Sequence, residues 1–277
     1  MVQTVKLSEL ANRKRRNTDK EEQEEESEID ISSTDSEAED KDNDDDDKEE
    51  IVNIDFDFYN ANPDVDFQAL KNLSRQLFGA QESNKIQLSA LADLMLASPM
   101  TTIKTDGTES DPYCFISFID YKENRDSDYA KYLNKVDTKL STFFRTIDNS
   151  NDKTCALVIC ERLINMPPEV VPPLYRITMD DIKNSANGDK EHFDFYVIVS
   201  RKYEVNFDTD ETTLRSSKRV KNDEIDYFHE EDRFLEKYAK IQFQSEARKG
   251  VISTYMVLDH EGLMNGIADL EAEIANW

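Results

Sequence analysis

The side chains that could do chemistry here are abundant carboxylates, three histidines, three cysteines and a few basic clusters, in a chain of 277 residues with net charge −26. At that density paired carboxylates occur everywhere, so their presence selects no acid–base mechanism. Asp42-Asn43-Asp44-Asp45-Asp46 resembles the opening of a calcium loop. Its sixth position is Asp47, where glycine is needed, and its twelfth is Asn53, where a bidentate glutamate is needed. His229-Glu230 lacks the second histidine of a zinc-protease helix, and Cys155 and Cys160 have no ligand-like neighbours, so no metal is expected. His192, His229 and His260 are scattered and read as surface or packing residues. The glycines Gly79, Gly107, Gly188, Gly250, Gly262 and Gly266 never form the strand–loop–helix cradle that holds a phosphate. No catalytic, cofactor-binding or metal-binding residue is designated, and no cofactor is expected.

The charge itself is the stronger signal. Residues 19–50 hold nineteen Asp or Glu and three Lys, a net of −16, directly after the basic run Arg13-Lys14-Arg15-Arg16. Apart from Ala38, their apolar residues are Ile29 and Ile31. Burial cannot offset chain entropy in such a tract, and like-charge repulsion keeps it open, so residues 1–50 are expected to form a disordered arm, basic and then acidic. A polyanion, here including Glu24, Glu25, Glu26, Asp44, Asp45, Asp46 and Asp47, suits a basic protein partner and repels nucleic acid phosphates. Residues 51–277 are themselves acidic, at −14. Arg13, Lys14, Arg15 and Arg16 read as a nuclear-import signal, with Lys218, Arg219 and Lys221 a second, weaker basic cluster. Ser27, Ser32, Thr34 and Ser36 each precede an acidic residue by three positions, the context of acid-directed kinases; phosphorylation would deepen the polyanion.

Positioning elements begin at Ile51. The alternation of Ile54, Phe56 and Phe58 with Asp55 and Asp57 predicts a half-buried strand. Phe67, Leu70, Leu77 and Phe78 share a helical face that closes at Gly79, and residues 84–97 predict a second helix. Residues 100–105 and 113–121 read as strands, and 129–147 as one long amphipathic helix. Ala156 to Ile159 reads as a central strand, and a proline-rich connection leads into a helix from about Leu174 to Ser185. A strand at 193–203, a charged loop at 205–226, a short helix at 232–239, strands at 240–245 and 252–258, and a terminal helix through Leu263, Ile267, Leu270 and Ile274 complete the series. The expected class is α/β, a mixed central sheet flanked by helices, as a single domain over 51–277. Cys114, Cys155 and Cys160 read as buried thiols of a reducing compartment. The longest apolar runs, about six residues, support neither a signal peptide nor a membrane span.

Several segments together resemble the BCCIP family: Phe56-Asp57-Phe58-Tyr59, Gln76-Leu77-Phe78, Phe115-Ile116-Ser117, and above all Glu161-Arg162-Leu163-Ile164-Asn165-Met166-Pro167-Pro168 with Pro173-Leu174-Tyr175. The resemblance continues in Glu231-Asp232-Arg233-Phe234-Leu235-Glu236-Lys237 and in the strand and helix after Met256. It implies a GNAT-acetyltransferase-like fold without established acetyl transfer. The Gln/Arg-x-x-Gly-x-Gly/Ala turn with which those enzymes hold the cofactor pyrophosphate follows no predicted strand of this sequence. It also implies a nuclear protein shuttling to the cytoplasm, a non-enzymatic chaperone of a basic large-subunit ribosomal protein in ribosome assembly. Import and export receptors are implied partners, as is a phosphoinositide kinase in nuclear export. The rival reading is a divergent acyltransferase using the sheet cleft.

Overall fold

The computed structural model describes residues 55–185, 191–205 and 224–277. The acidic arm, Arg13 to Arg16, the candidate phosphorylation sites Ser27, Ser32, Thr34 and Ser36, and Lys218, Arg219 and Lys221 lie outside the described residues.

The chain enters by strand β1 (Asp57–Asn60), helix α1 (Pro63–Ser83) and helix α2 (Leu88–Leu96). Phe56 and Phe58 are buried around exposed Asp55 and half-buried Asp57, as the alternation predicts. Asn62 caps α1 by accepting from the Asp64 amide at 3.1 Å, Pro63 occupies the first turn, and Asp66 reaches back to accept from the Asn62 amide at 2.8 Å. The helical run breaks where predicted, at Gly79, whose φ of 68° and ψ of 171° suit glycine alone. Helix α2 starts at Leu88, four residues later than the sequence suggests, because residues 84–87 form a turn and no side chain caps the helix.

Strands β2 (Met100–Lys104) and β3 (Cys114–Asp120) follow, then α3 (Asp128–Val136) and α4 (Thr138–Asn149). The single helix expected over 129–147 is thus two. Asp137 is extended, at φ −151° and ψ 151°, and its carboxylate accepts from the amides of Lys139 at 2.7 Å and Leu140 at 3.4 Å. An aspartate gains more as a cap than inside a helix, so it restarts the chain while both halves keep their apolar faces toward the sheet.

Strand β4 (Cys155–Arg162), a 3₁₀ turn (Pro168–Val170) and α5 (Val171–Ser185) come next. Helix α5 begins before the predicted Leu174 because Pro172 and Pro173 sit in its first turn, where no amide donor is required of them. The remainder is β5 (Phe195–Val205), β6 (Glu224–Tyr227), α6 (Glu231–Glu236), β7 (Ile241–Gln244), β8 (Val251–Asp259) and α7 (His260–Ile274). Strand β6 lies in what reads as a charged loop; it pairs with the polar end of β5, where apolar alternation gives no signal.

Among the described residues the strands form one eight-stranded sheet in the order β1-β2-β3-β4-β5-β8-β7, with β6 also on β5. All pairs are antiparallel except β4 with β5. Strand alternation sends Phe115, Ile119, Leu157, Ile159, Val197 and Val257 to one face, under α1 to α4. It sends Ile116, Phe118, Val158, Ile198, Met256 and Leu258 to the other, under α5 to α7. The result is a mixed α/β fold with helices on both faces of a mostly antiparallel sheet.

The cysteines are free: Cys114 and Cys155 are buried, whereas Cys160 is only partly so. The histidines are less scattered than their spacing suggests, since His192 and His260 stack at 3.8 Å and His229 is buried. Among the described residues no helix is long and apolar enough to cross a membrane.

Candidate functional site

Where two parallel neighbours part, a sheet opens a crevice, the usual place for a ligand in an open α/β sheet. Strands β4 and β5 pair only from Cys155↔Phe195 to Val158↔Ile198. Beyond that, β4 stays with β3 as far as Cys114↔Arg162, and β5 turns to β6 from Lys202 to Val205. The gap between them is filled by charged side chains of the chain itself.

Glu161 has the same parity as Leu157 and Ile159, so it faces the α1 layer, and Arg162 faces the opposite layer. Oε1 of Glu161 accepts from Gln76 of α1 at 2.7 Å, from Arg201 of β5 at 2.8 Å, and meets Nε2 of His229 at 3.0 Å. Arg162 forks onto Glu231 at the start of α6, with Nε and Nη2 each 3.0 Å from a carboxylate oxygen, and donates through Nη1 to the Met166 carbonyl at 2.5 Å. Gln76 also donates to the Arg162 carbonyl at 3.2 Å. Glu161, Arg162, Arg201, His229, Glu231 and Asp232 are all buried. The network passes through the sheet and ties both helical layers to the end of β4.

Such burial is tolerated only because the charges match. Burial alone would raise the pKa of Glu231, but the Arg162 guanidinium outweighs it and holds the carboxyl below its ordinary value. Asp232 has no such partner. Burial, followed by the charges of Glu231 and Glu161, pushes its pKa well above the usual carboxylate range. Glu161 and Glu231 each face a guanidinium, Arg201 at 2.8 Å and Arg162 at 3.0 Å. The space left among Cys160, Glu161, Ser200, His229 and Asp232 is about 10 Å³, the size of one water molecule.

The arrangement is a lock that ties β4 to both helical layers. The thiol of Cys160 beside it is pushed up by a hydrogen bond with Cys114, by the enclosure of its sulfur and by the nearby acids, although the residue as a whole is only partly buried. Among the described residues no group of three metal-ligating side chains could hold an ion. A second buried pair, Lys104 with Asp66 at 2.6 Å, fastens the start of α1 to β2, and Lys104 also donates to the Thr108 carbonyl at 2.6 Å. Sequence reasoning quoted Glu161-Arg162 and Glu231-Asp232 only as points of resemblance. The signal for a network was there, a charged pair directly ending the apolar run of a central strand, but its partners lie between 40 and 85 residues away.

The family model described as BCCIP matches residues 51–235. "Protein BCP1" of Saccharomyces cerevisiae is 67% identical over 287 residues, with all of both chains covered. "Protein BCP1" of Eremothecium gossypii is 66% identical, covering 79% of this chain and 82% of that protein. The crystal structure of BCP1 from Saccharomyces cerevisiae superposes with a TM-score of 0.73 at 64% identity, covering 84% of this chain and 95% of that one. The two halves of the buried lock, Glu161-Arg162 and Glu231-Asp232, fall inside the matched region, and the chain belongs to the BCCIP family.

Proposed function

We propose that this chain is a non-enzymatic carrier that binds a basic protein of the large ribosomal subunit, supports ribosome assembly and shuttles between nucleus and cytoplasm. The observation that carries the reading is the closed β4–β5 crevice: about 10 Å³ remains where a transferase of the implied acetyltransferase-like fold would need room for cofactor and substrate. Nineteen carboxylates in residues 19–50 supply what a carrier of a basic client requires. The folded domain holds one side of the client, and the arm covers lysines and arginines that would otherwise capture RNA.

The test is deletion of residues 19–50, followed by association kinetics with basic large-subunit ribosomal proteins from low to high salt. Steering by the arm is screened as the Debye length falls from about 10 Å at 0.1 M to about 3 Å at 1 M. Deletion should slow association and flatten its salt dependence while leaving a weaker complex. Unchanged on-rate and salt slope would reduce the arm to a solubility device. Stoichiometric binding of acetyl-CoA at micromolar affinity would revive the acyltransferase reading.

A further inference from the structure

Two grooves of similar size border the α3–α4 layer, and their charges differ. One, of about 660 Å³, carries both signs, with Asp128 and Glu246 alongside Lys131 and Lys135. Its remaining cations are committed, Lys85 and Arg248 both reaching Glu82, at 2.7 and 3.0 Å. The other, of about 620 Å³, lies between α4 and strands β5, β7 and β8. Its floor is Phe143, Ile147, Phe195, Ile241 and Val257, and its charged lining is Lys139, Lys153 and Lys240 with no carboxylate.

The threonine wall of this second groove asks for no polar ligand, because Thr142 and Thr146 donate to the carbonyls of Thr138 and Thr142, at 2.8 and 3.0 Å. Lys153 and Lys240 pair with Asp194 at 3.4 Å and Asp259 at 3.1 Å, yet remain 49% and 59% exposed. Such hydrated pairs yield readily to a closer anion. Lys139 is exposed and has no ion-pair partner among the described residues. An apolar trough lined by three lysines, two of them in loose exposed pairs, on a chain of net charge −26, fits an acidic segment carrying a few large apolar side chains.

We propose that the groove receives the chain's own Glu28-Ile29-Asp30-Ile31-Ser32. Ile29 and Ile31 are the only large apolar residues between positions 19 and 50. In an extended segment they share one side and Glu28 and Asp30 the other, so the isoleucines enter the trough while the carboxylates stay at the lysine rim. The tether fits. From Ile31 to Asp55 is 24 residues, for which the coil statistics of an uncharged chain give about 25–29 Å, a lower figure than repulsion among its carboxylates sets. From β1 to β7 the sheet takes six inter-strand steps of about 4.8 Å, also roughly 29 Å. A tether long enough to cover the span makes docking intramolecular, at an effective concentration that no separate partner needs to match. The arm is then parked on the domain until something more basic draws it off. The inference concerns the free protein and does not depend on the nature of any client.

Zero-length carbodiimide coupling of the full chain, read by mass spectrometry, tests it. Glu28 and Asp30 should couple to Lys139, Lys153 and Lys240 about tenfold more than to Lys131 and Lys135 of the mixed groove. The Ile29→Asp/Ile31→Asp variant should lose that preference even though it adds negative charge, which separates apolar insertion from general attraction. Equal coupling to both grooves, or a preference surviving in the variant, would overturn the proposal. Coupling an equal mixture of isotope-labelled and unlabelled chains adds a second criterion: mixed-mass products would assign the groove to another copy's arm and refute the intramolecular form.

Discussion

Two adjacent carboxyls, Glu231 and Asp232, should respond oppositely to loss of charge. Glu231 has a lowered pKa, so its contribution to stability is present above the unfolded value near 4.5 and is lost as pH falls through the folded value. Glu231→Gln leaves the buried Arg162 uncompensated and should cost about 3–5 kcal/mol at neutral pH. Asp232 has a raised pKa, so its contribution is fully present below about 3.8 and is lost as pH rises toward the folded value. Its share of the slope is about −1.4 kcal/mol per pH unit across that window. Asp232→Asn should remove this slope, so that the variant gains stability relative to the parent as pH rises above about 3.8. Urea unfolding at several pH values checks both. Far-UV circular dichroism is the suitable probe, because the single tryptophan, Trp277, is 59% exposed and senses little of the core. Lys104→Met, which strands Asp66 in the interior, should be as damaging as Glu231→Gln, at about 3–5 kcal/mol.

The elements were legible wherever apolar periodicity was long and one-sided. Strands β3, β4 and β8 stand within one or two residues of the predicted spans, except that β4 runs on through the charged Glu161 and Arg162, and helix α7 buries its predicted face of Leu263, Ile267, Leu270 and Ile274. Its extension was hidden because charged residues in a central strand imply partners that a single sequence does not locate. The α3–α4 break was missed because one capping aspartate leaves the helical periodicity on both sides intact. Strand β6 was missed because its pairing is backbone to backbone and its alternation weak. Gly79 is the opposite case, a single residue that announces its backbone. A Cβ there would meet nothing within 4 Å, so steric crowding is absent and the cost of Gly79→Ala is conformational. Thermal or urea unfolding should show a loss of about 1–3 kcal/mol.

At the scale of the molecule, charge was readable and topology was not. Composition separates a polyanionic segment from a domain with a core, but no composition specifies that β8 inserts between β5 and β7. The proposed carrier function predicts that replacing Arg13, Lys14, Arg15 and Arg16 with alanine moves a fluorescent fusion toward the cytoplasm. A nuclear signal unchanged even after Lys218, Arg219 and Lys221 are also replaced would mean that the protein enters with its client.

The position of β8 also sets a schedule for biosynthesis. It pairs with β5 over nine positions, from Phe195↔Asp259 to Tyr203↔Val251, whereas β4 covers only four. Translated from the N-terminus, β5 therefore waits for residue 259 before its longer partner exists, with Val197, Val199 and Ile198 bare along that edge. Folding of this part of the sheet must await residues 251–259, and a message truncated before codon 251 should yield aggregate rather than a smaller working domain. A chain proposed to shelter other proteins before assembly itself passes through an exposed interval on the ribosome that made it.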